Sequence, residues 1–177
     1  GCAVLFKLAF PEGEVEFSNY KQVDYKVSSA LSQEDELWIT DLSVSEKTAK
    51  LIDEEYEEKV KLLDHHESAD WLNKYQWAEV IKCYSLPALG NHIVQSAATN
   101  LVYKELEDVL PNKAYVFSEI VRKYDTWEWI NGNDTPKHWN ELLRILGKER
   151  FLERAIDKIR FDDLSFTKEE VKLIKLR

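Results

Sequence analysis

Two short apolar runs that each end on an acid constrain this chain more than any other feature. Glu36-Leu37-Trp38-Ile39-Thr40-Asp41 reads as a buried strand closing on a carboxylate, and Val60-Lys61-Leu62-Leu63 as a second one closing on Asp64-His65-His66. Between them Ser45 caps a helix that runs to about Tyr56, and a third strand is expected over 78–84. Strand, helix, strand, helix is the pattern of a parallel sheet covered on both faces. Upstream, Val15 and Phe17 mark an alternating strand and Asp24 caps a short helix to Leu31. From Leu89 onward helices take over, at roughly 92–108, 111–124, 136–146 and 149–160, the second with Pro111 in the favoured first turn. The expected fold class is therefore α/β: a parallel sheet flanked by helices, with a helical C-terminal part.

Length and charge narrow what such a fold can do. The 177 residues make one domain and a fraction, and 44% hydrophobic residues suffice for a packed core. Twenty-four Lys and Arg against 33 Asp and Glu give a net charge of −9, which excludes the basic excess of proteins that coat long nucleic acids. A phosphate-bearing substrate would need a local offset to that field. Cys2 and Cys83 make neither a disulfide framework nor a zinc cluster and fit a reducing cytoplasm. No apolar stretch approaches the ~18 residues of a membrane span. Both ends look cut: the run Gly1-Cys2-Ala3-Val4-Leu5 begins a helix without a cap, and the capping box Thr167-Lys168-Glu169-Glu170 starts a helix that the chain ends inside.

In open parallel sheets, ligands bind beyond the carboxyl ends of the strands. Asp41 stands at one such end, where it reads either as a turn or capping carboxylate or as part of a site. Asp64-His65-His66 puts three polar heads at a buried edge, each in need of a partner or a metal.

Asp64-His65-His66 behind an apolar strand, with Thr40-Asp41-Leu42-Ser43 closing the strand before it, resembles the DHH phosphoesterase family. The small residues Ser96-Ala97-Ala98-Thr99, placed in the next helix, and Asp125 in Arg122-Lys123-Tyr124-Asp125-Thr126-Trp127 extend the match over about 1–129. The resemblance implies a DHH domain over 1–130, truncated at its N-terminus, and a helical linker over 131–177 that leads to a missing second lobe. It implies two manganese ions, with Asp41 as the bridging carboxylate, His65 and Asp125 as ligands of one ion, and His66 facing the substrate phosphate. Asp64 then touches metal or orients the triplet. Carboxylates with an imidazole suit manganese, and neither cysteine falls beside the motifs. Two departures stand out. The aspartate motif that holds the other ion in the family is absent, and so is the glycine-rich signature of the second lobe, in a chain with only 5 Gly. The chain alone is accordingly expected to be inactive.

Within that family the continuation Ala69-Asp70-Trp71-Leu72 looks most like the oligoribonuclease branch. This implies a cytoplasmic, manganese-dependent phosphodiesterase of short single-stranded RNA, with other phosphodiesters as alternative substrates. The alternatives are a cyclic-dinucleotide phosphodiesterase, a single-strand exonuclease, a pyrophosphatase, or a non-catalytic interaction module. Net charge favours short substrates, since long strands are followed along a continuous basic groove. Other residues read more plainly. His92 and His138 suit surface or core positions, and the acidic run 53–58 suits a solvated helix face. Trp127 and Trp129 fit either packing at a helix end or base stacking, and Arg122 and Lys123 can offer a cation to phosphate.

Overall fold

A computed structural model describes residues 1–86 and 92–176. The chain forms two compact units, Glu16–Leu101 and Gly1–Val15 with Val102–Arg177, the last residue lying outside the described set.

The unit Glu16–Leu101 carries the expected parallel sheet. Strands β1 (Leu37–Thr40), β2 (Val60–Asp64) and β3 (Ala78–Val80) lie in that order, with Thr40 beside Leu63 and Asp64 beside Val80. Helix α1 (Cys2–Ala9) belongs to the other unit; α2 (Val23–Ala30) and α3 (Glu46–Glu55) belong to this one. Ser45 caps α3 as its sequence demands, its hydroxyl accepting from the Thr48 amide at 3.4 Å. Ala49 and Ile52 point from α3 into a core shared with Val27, Leu31, Ile39 and Leu62. The opposite face, with Asp53, Glu54 and Glu55, is in solvent, as the acidic run implied. Asp24 does something different from capping. Gln22 holds the N-cap of α2, and the Asp24 carboxylate accepts from the Ser45 amide at 2.8 Å, tying α2 to the start of α3.

Three expected elements differ in the structure. Val15 and Phe17 form no strand, since two alternating residues found no neighbouring edge; Phe17 instead offers its carbonyl to Lys26 Nζ at 2.6 Å. The stretch 78–84 divides between β3 and β4 (Cys83–Leu86), and β4 pairs antiparallel with β5 (His92–Gln95). Residues 92–95 are therefore a strand, and α4 (Ala98–Leu106) starts six residues later than expected from a helix over 92–108. Ile93 and Val94 are β-branched and fit that ribbon. The changeover expected at Leu89 lies outside the described residues. Ser96, Ala97, Ala98 and Thr99 are all buried, the first two ahead of α4.

In the other unit α5 (Asn112–Asp125), α6 (Thr135–Leu146), α7 (Lys148–Arg160) and α8 (Lys168–Lys175) follow the helical expectation closely. Trp139 of α6 is the centre of their core, with Phe117, Phe151 and Phe166 rings 5.3–6.0 Å away. The capping box forms: Thr167 Oγ accepts from the Glu170 amide at 3.2 Å, and the Glu170 carboxylate from the Thr167 amide at 2.8 Å. Glu170 also pairs with Arg154 Nε at 2.7 Å and Lys158 Nζ at 3.0 Å, so a single acid starts α8 and fastens it to α7.

Burial raises the Glu170 pKa, but Arg154, the Thr167 amide and Lys158 outweigh it and hold the carboxyl below its usual range. A depressed folded-state pKa gives stability that is full above the unfolded value and lost as pH falls through the folded one. Glu170→Gln, which keeps a capping group but no charge, is expected to cost about 1–3 kcal/mol at pH 7. It should also flatten the loss of stability below about pH 4.3. Urea unfolding at pH 7 and across pH 5 to 3 measures both effects.

Candidate metal site at the strand ends

The parallel register places the site. Because Thr40 lies beside Leu63, the next residues, Asp41 and Asp64, emerge side by side at the carboxyl ends of β1 and β2. The Asp41 amide donates to the Leu63 carbonyl at 3.0 Å, one rung beyond the last strand residue, and the Ile81 amide donates to the Asp64 carbonyl at 3.0 Å. Asp41 then turns in the left-handed region, φ 61°, where Asp is among the less disfavoured residues. That turn ends the strand with the carboxylate about half exposed.

Asp64 is 1% exposed, and a carboxylate so buried has to be met by donors. Its Oδ1 accepts from the His65 amide at 2.7 Å and the His66 amide at 3.3 Å, and lies 2.7 Å from His66 Nδ1. One oxygen thus folds the triplet back around itself. The two imidazoles stack at a tilt with centroids 4.3 Å apart, and His65 Nε2 lies 3.3 Å from Asp41 Oδ1. Asp41, Asp64, His65 and His66 each offer a ligand atom within 4.8 Å of all the others. Two carboxylates and two imidazoles make a donor set that suits a divalent cation of the manganese or iron type, so the residues present fit a metal.

Asp125, the fifth residue expected at the site, is the last residue of α5 in the other unit and is exposed. Arg122, offered above as a cation for phosphate, is 2% exposed and committed to Glu119 and Glu128 inside that unit. Both the desolvation that opposes its charge and the two carboxylates that outweigh it act there; the net effect raises its pKa. Tyr20 was missed by sequence reasoning. Desolvation first, and then the Asp64 and Asp41 carboxylates, push its hydroxyl pKa up, although the residue is 64% exposed. No motif marked it, since it stands in an irregular segment before α2. His92 is in β5, and His138 packs edge-on against Phe166 at 5.9 Å.

The fold is α/β, with acids and imidazoles gathered at the carboxyl edge of a parallel sheet, where ligands of open α/β sheets bind. Among proteins of known function, Oligoribonuclease NrnB of Bacillus subtilis (strain 168) is 33% identical to this chain over 191 aligned residues. The alignment takes in 99% of this chain and 46% of that protein, so the chain spans about half the length of the curated relative it matches. No family model and no solved structure matches the chain. The likeness runs through the whole chain. No helix among the described residues is long and apolar enough to cross a membrane.

Removing the Asp64 carboxylate leaves two backbone amides and an imidazole edge without their acceptor. Asp64→Ala is expected to lower stability by about 1–3 kcal/mol, with Asp64→Asn, which keeps one acceptor oxygen, losing less. Urea unfolding without added metal separates this from any role in ion binding.

Proposed function

We propose that this chain carries the metal-binding part of a phosphodiesterase that hydrolyses short RNA oligonucleotides with manganese. The convergence of Asp41, Asp64, His65 and His66 at the strand ends carries the reading, and the likeness to a protein named an oligoribonuclease supports the substrate class. In this reading Asp41 would serve both ions, His65 would hold one of them, and Asp64 would orient the triplet or touch metal. When bound, two such ions supply Lewis acidity and positive charge at the reacting phosphoryl group.

The chain's own residues do the positioning. Asp64 holds His66 through Nδ1 at 2.7 Å, which leaves Nε2 as the atom that His66 offers to a phosphate oxygen. A carboxylate behind a ligating or substrate-facing imidazole fixes its tautomer and ring orientation. With a net charge of −9, the protein attracts no polyanion by its overall field, and bound cations invert that field locally. Short strands need only this local charge, whereas long ones need a basic track. The reading also places the protein in the cytoplasm. Cys2 is partly buried, Cys83 is exposed and no disulfide joins them, which suits a reducing compartment.

Calorimetric manganese titration together with hydrolysis of a labelled three-nucleotide RNA, on the protein as the cell makes it, tests the reading. His66→Ala is expected to lower turnover by about 10²-fold or more with manganese binding retained. Asp41→Ala should weaken manganese binding by about 10- to 100-fold, since a shared ligand serves both ions. Cleavage of pyrophosphate or a cyclic dinucleotide in place of RNA would move the protein to another branch with its metal chemistry intact. Failure to bind manganese would leave an interaction module.

A further inference from the structure

We infer that Tyr124, Trp129 and Trp127 form a stacking platform for a nucleobase, with the open face of Trp127 as the contact. The inference rests on the short-RNA reading above and deepens it by naming a base-binding subsite. The three rings stand in a row: Tyr124 and Trp129 are 6.0 Å apart at 11° between planes, and Trp129 and Trp127 are 6.1 Å apart at 28°. Trp127 is the outermost and is 66% exposed. A stack that ends on an open indole face is built to accept one more flat ring, and every base has such a face.

The backbone around Trp127 shows that its position is imposed. Its φ is +61°, a conformation that is a genuine outlier for a bulky side chain and persists only where the surroundings over-determine it. Here the residues on both sides are tied to one buried residue, Arg122, Thr126 through its main-chain carbonyl and Glu128 through its guanidinium. Arg122 forks onto Glu128, with Nη2 donating to Oε2 at 2.9 Å and Nη1 donating to Oε1, while its Nε donates to Glu119 at 3.1 Å. Thr126 Oγ1 donates to the Arg122 carbonyl at 3.0 Å and its amide donates to the same carbonyl at 2.8 Å. At the inner end of the row, Asn140 Nδ2 donates to the Tyr124 hydroxyl at 2.7 Å. The rings are thus fixed before any ligand arrives, which removes an ordering cost from binding.

Charge chooses between a base and an apolar peptide as the occupant. Lys137 Nζ lies 5.7 Å from the Trp129 ring centre, and Lys123 adjoins Tyr124 in sequence and acts on the Glu128 carboxylate. Arg122 engages both Glu119 and Glu128, so these acids repel a phosphate less than their number suggests. Cations flanking an aromatic stack are the combination that holds a single-stranded nucleotide by ring and by phosphate together.

The test is binding of a labelled trinucleotide RNA and of its abasic analogue to the full chain by fluorescence anisotropy, with chelator present so that nothing is cleaved. Trp127→Ala is expected to weaken binding of the base-bearing strand by roughly tenfold or more, while Trp127→Phe, which keeps a ring, retains most of it. The abasic strand should bind wild type and Trp127→Ala alike. Circular dichroism confirms that the variants are folded, and the wild-type preference for the base-bearing over the abasic strand gives a reading that needs no variant. Equal affinity of wild type and Trp127→Ala for the base-bearing strand overturns the platform, as does equal wild-type affinity for the two strands. Either result leaves the hydrolytic reading standing if manganese still supports cleavage. Binding through Trp127 without any cleavage by the native protein would instead retain the platform and remove the hydrolytic reading.

Discussion

The Asp64 carboxylate, 1% exposed at the end of the middle strand, is the group on which the site depends. A parallel ladder stops supplying partners where the chain leaves it, so the first amides beyond β2 need acceptors. Asp64 Oδ1 takes the His65 and His66 amides and holds His66 Nδ1. A charge in that position is costly unless it is fully met, and the donors that meet it are the backbone and ring of the two residues that follow. Burial of the acid and the placement of the imidazoles are therefore one event. An alanine there would fail twice, by leaving the amides unmet and by releasing His66 from its orientation.

Strand order then decides what the triplet faces. The Asp41 amide reaches the Leu63 carbonyl, so β1 stays in register with β2 for one residue past its end, and the positive φ at Asp41 stops it there. The result is a carboxylate 3.3 Å from His65 Nε2, although the two residues stand 24 positions apart in sequence. Helix α3 is what makes that closeness possible, because parallel neighbours need a crossover, and Ser45 fixes where the crossover begins. The Ser45 amide is in turn held by Asp24. Burial raises the Asp24 pKa, but that amide and the hydroxyls of Thr48 and Ser45 bring it below its usual value. Asp24 thereby steadies the helix that carries β1 over to β2.

Features carried by local chemistry were legible in the sequence. The two strands, the Ser45 cap, the Thr167 capping box and the helices from α5 to α8 each follow from a few adjacent residues. Features decided by a distant partner were not. Residues 92–95 carry no signal that outweighs a helical reading until β4 lies alongside, where Cys83 meets Gln95 and Tyr84 meets Val94. Asp24 has the composition of a helix cap, but the Ser45 amide claimed its carboxylate from 21 residues away. For the site, the acid and histidine types at the strand ends were readable and brought Asp41, Asp64, His65 and His66 to notice. Tyr20 was not, because its nearness to Asp41 and Asp64 arises from the path of an irregular segment. The role of Arg122 was hidden for a related reason: burial, which sequence does not display, turned a candidate phosphate ligand into an internal clamp.

Several cations in this acidic chain are used as internal fasteners. Arg122 is 2% exposed between Glu119 and Glu128, and Lys158 is 5% exposed beside Glu170 and also donates to the Ser165 carbonyl. Lys59 donates to the Leu31 and Glu34 carbonyls, and Lys26 to Phe17 and Glu16. A cation held in this way stabilises a turn or a helix end and contributes little to an external field. The strand-end cluster differs, with the half-exposed Asp41 carboxylate and the buried Asp64 carboxylate beside two imidazoles. Such an arrangement repels a phosphate by itself and attracts one only after divalent cations have reversed its sign. Under the metal-dependent reading proposed above, selection of ligand and selection of metal are coupled, because the ion supplies the positive charge that an anion needs.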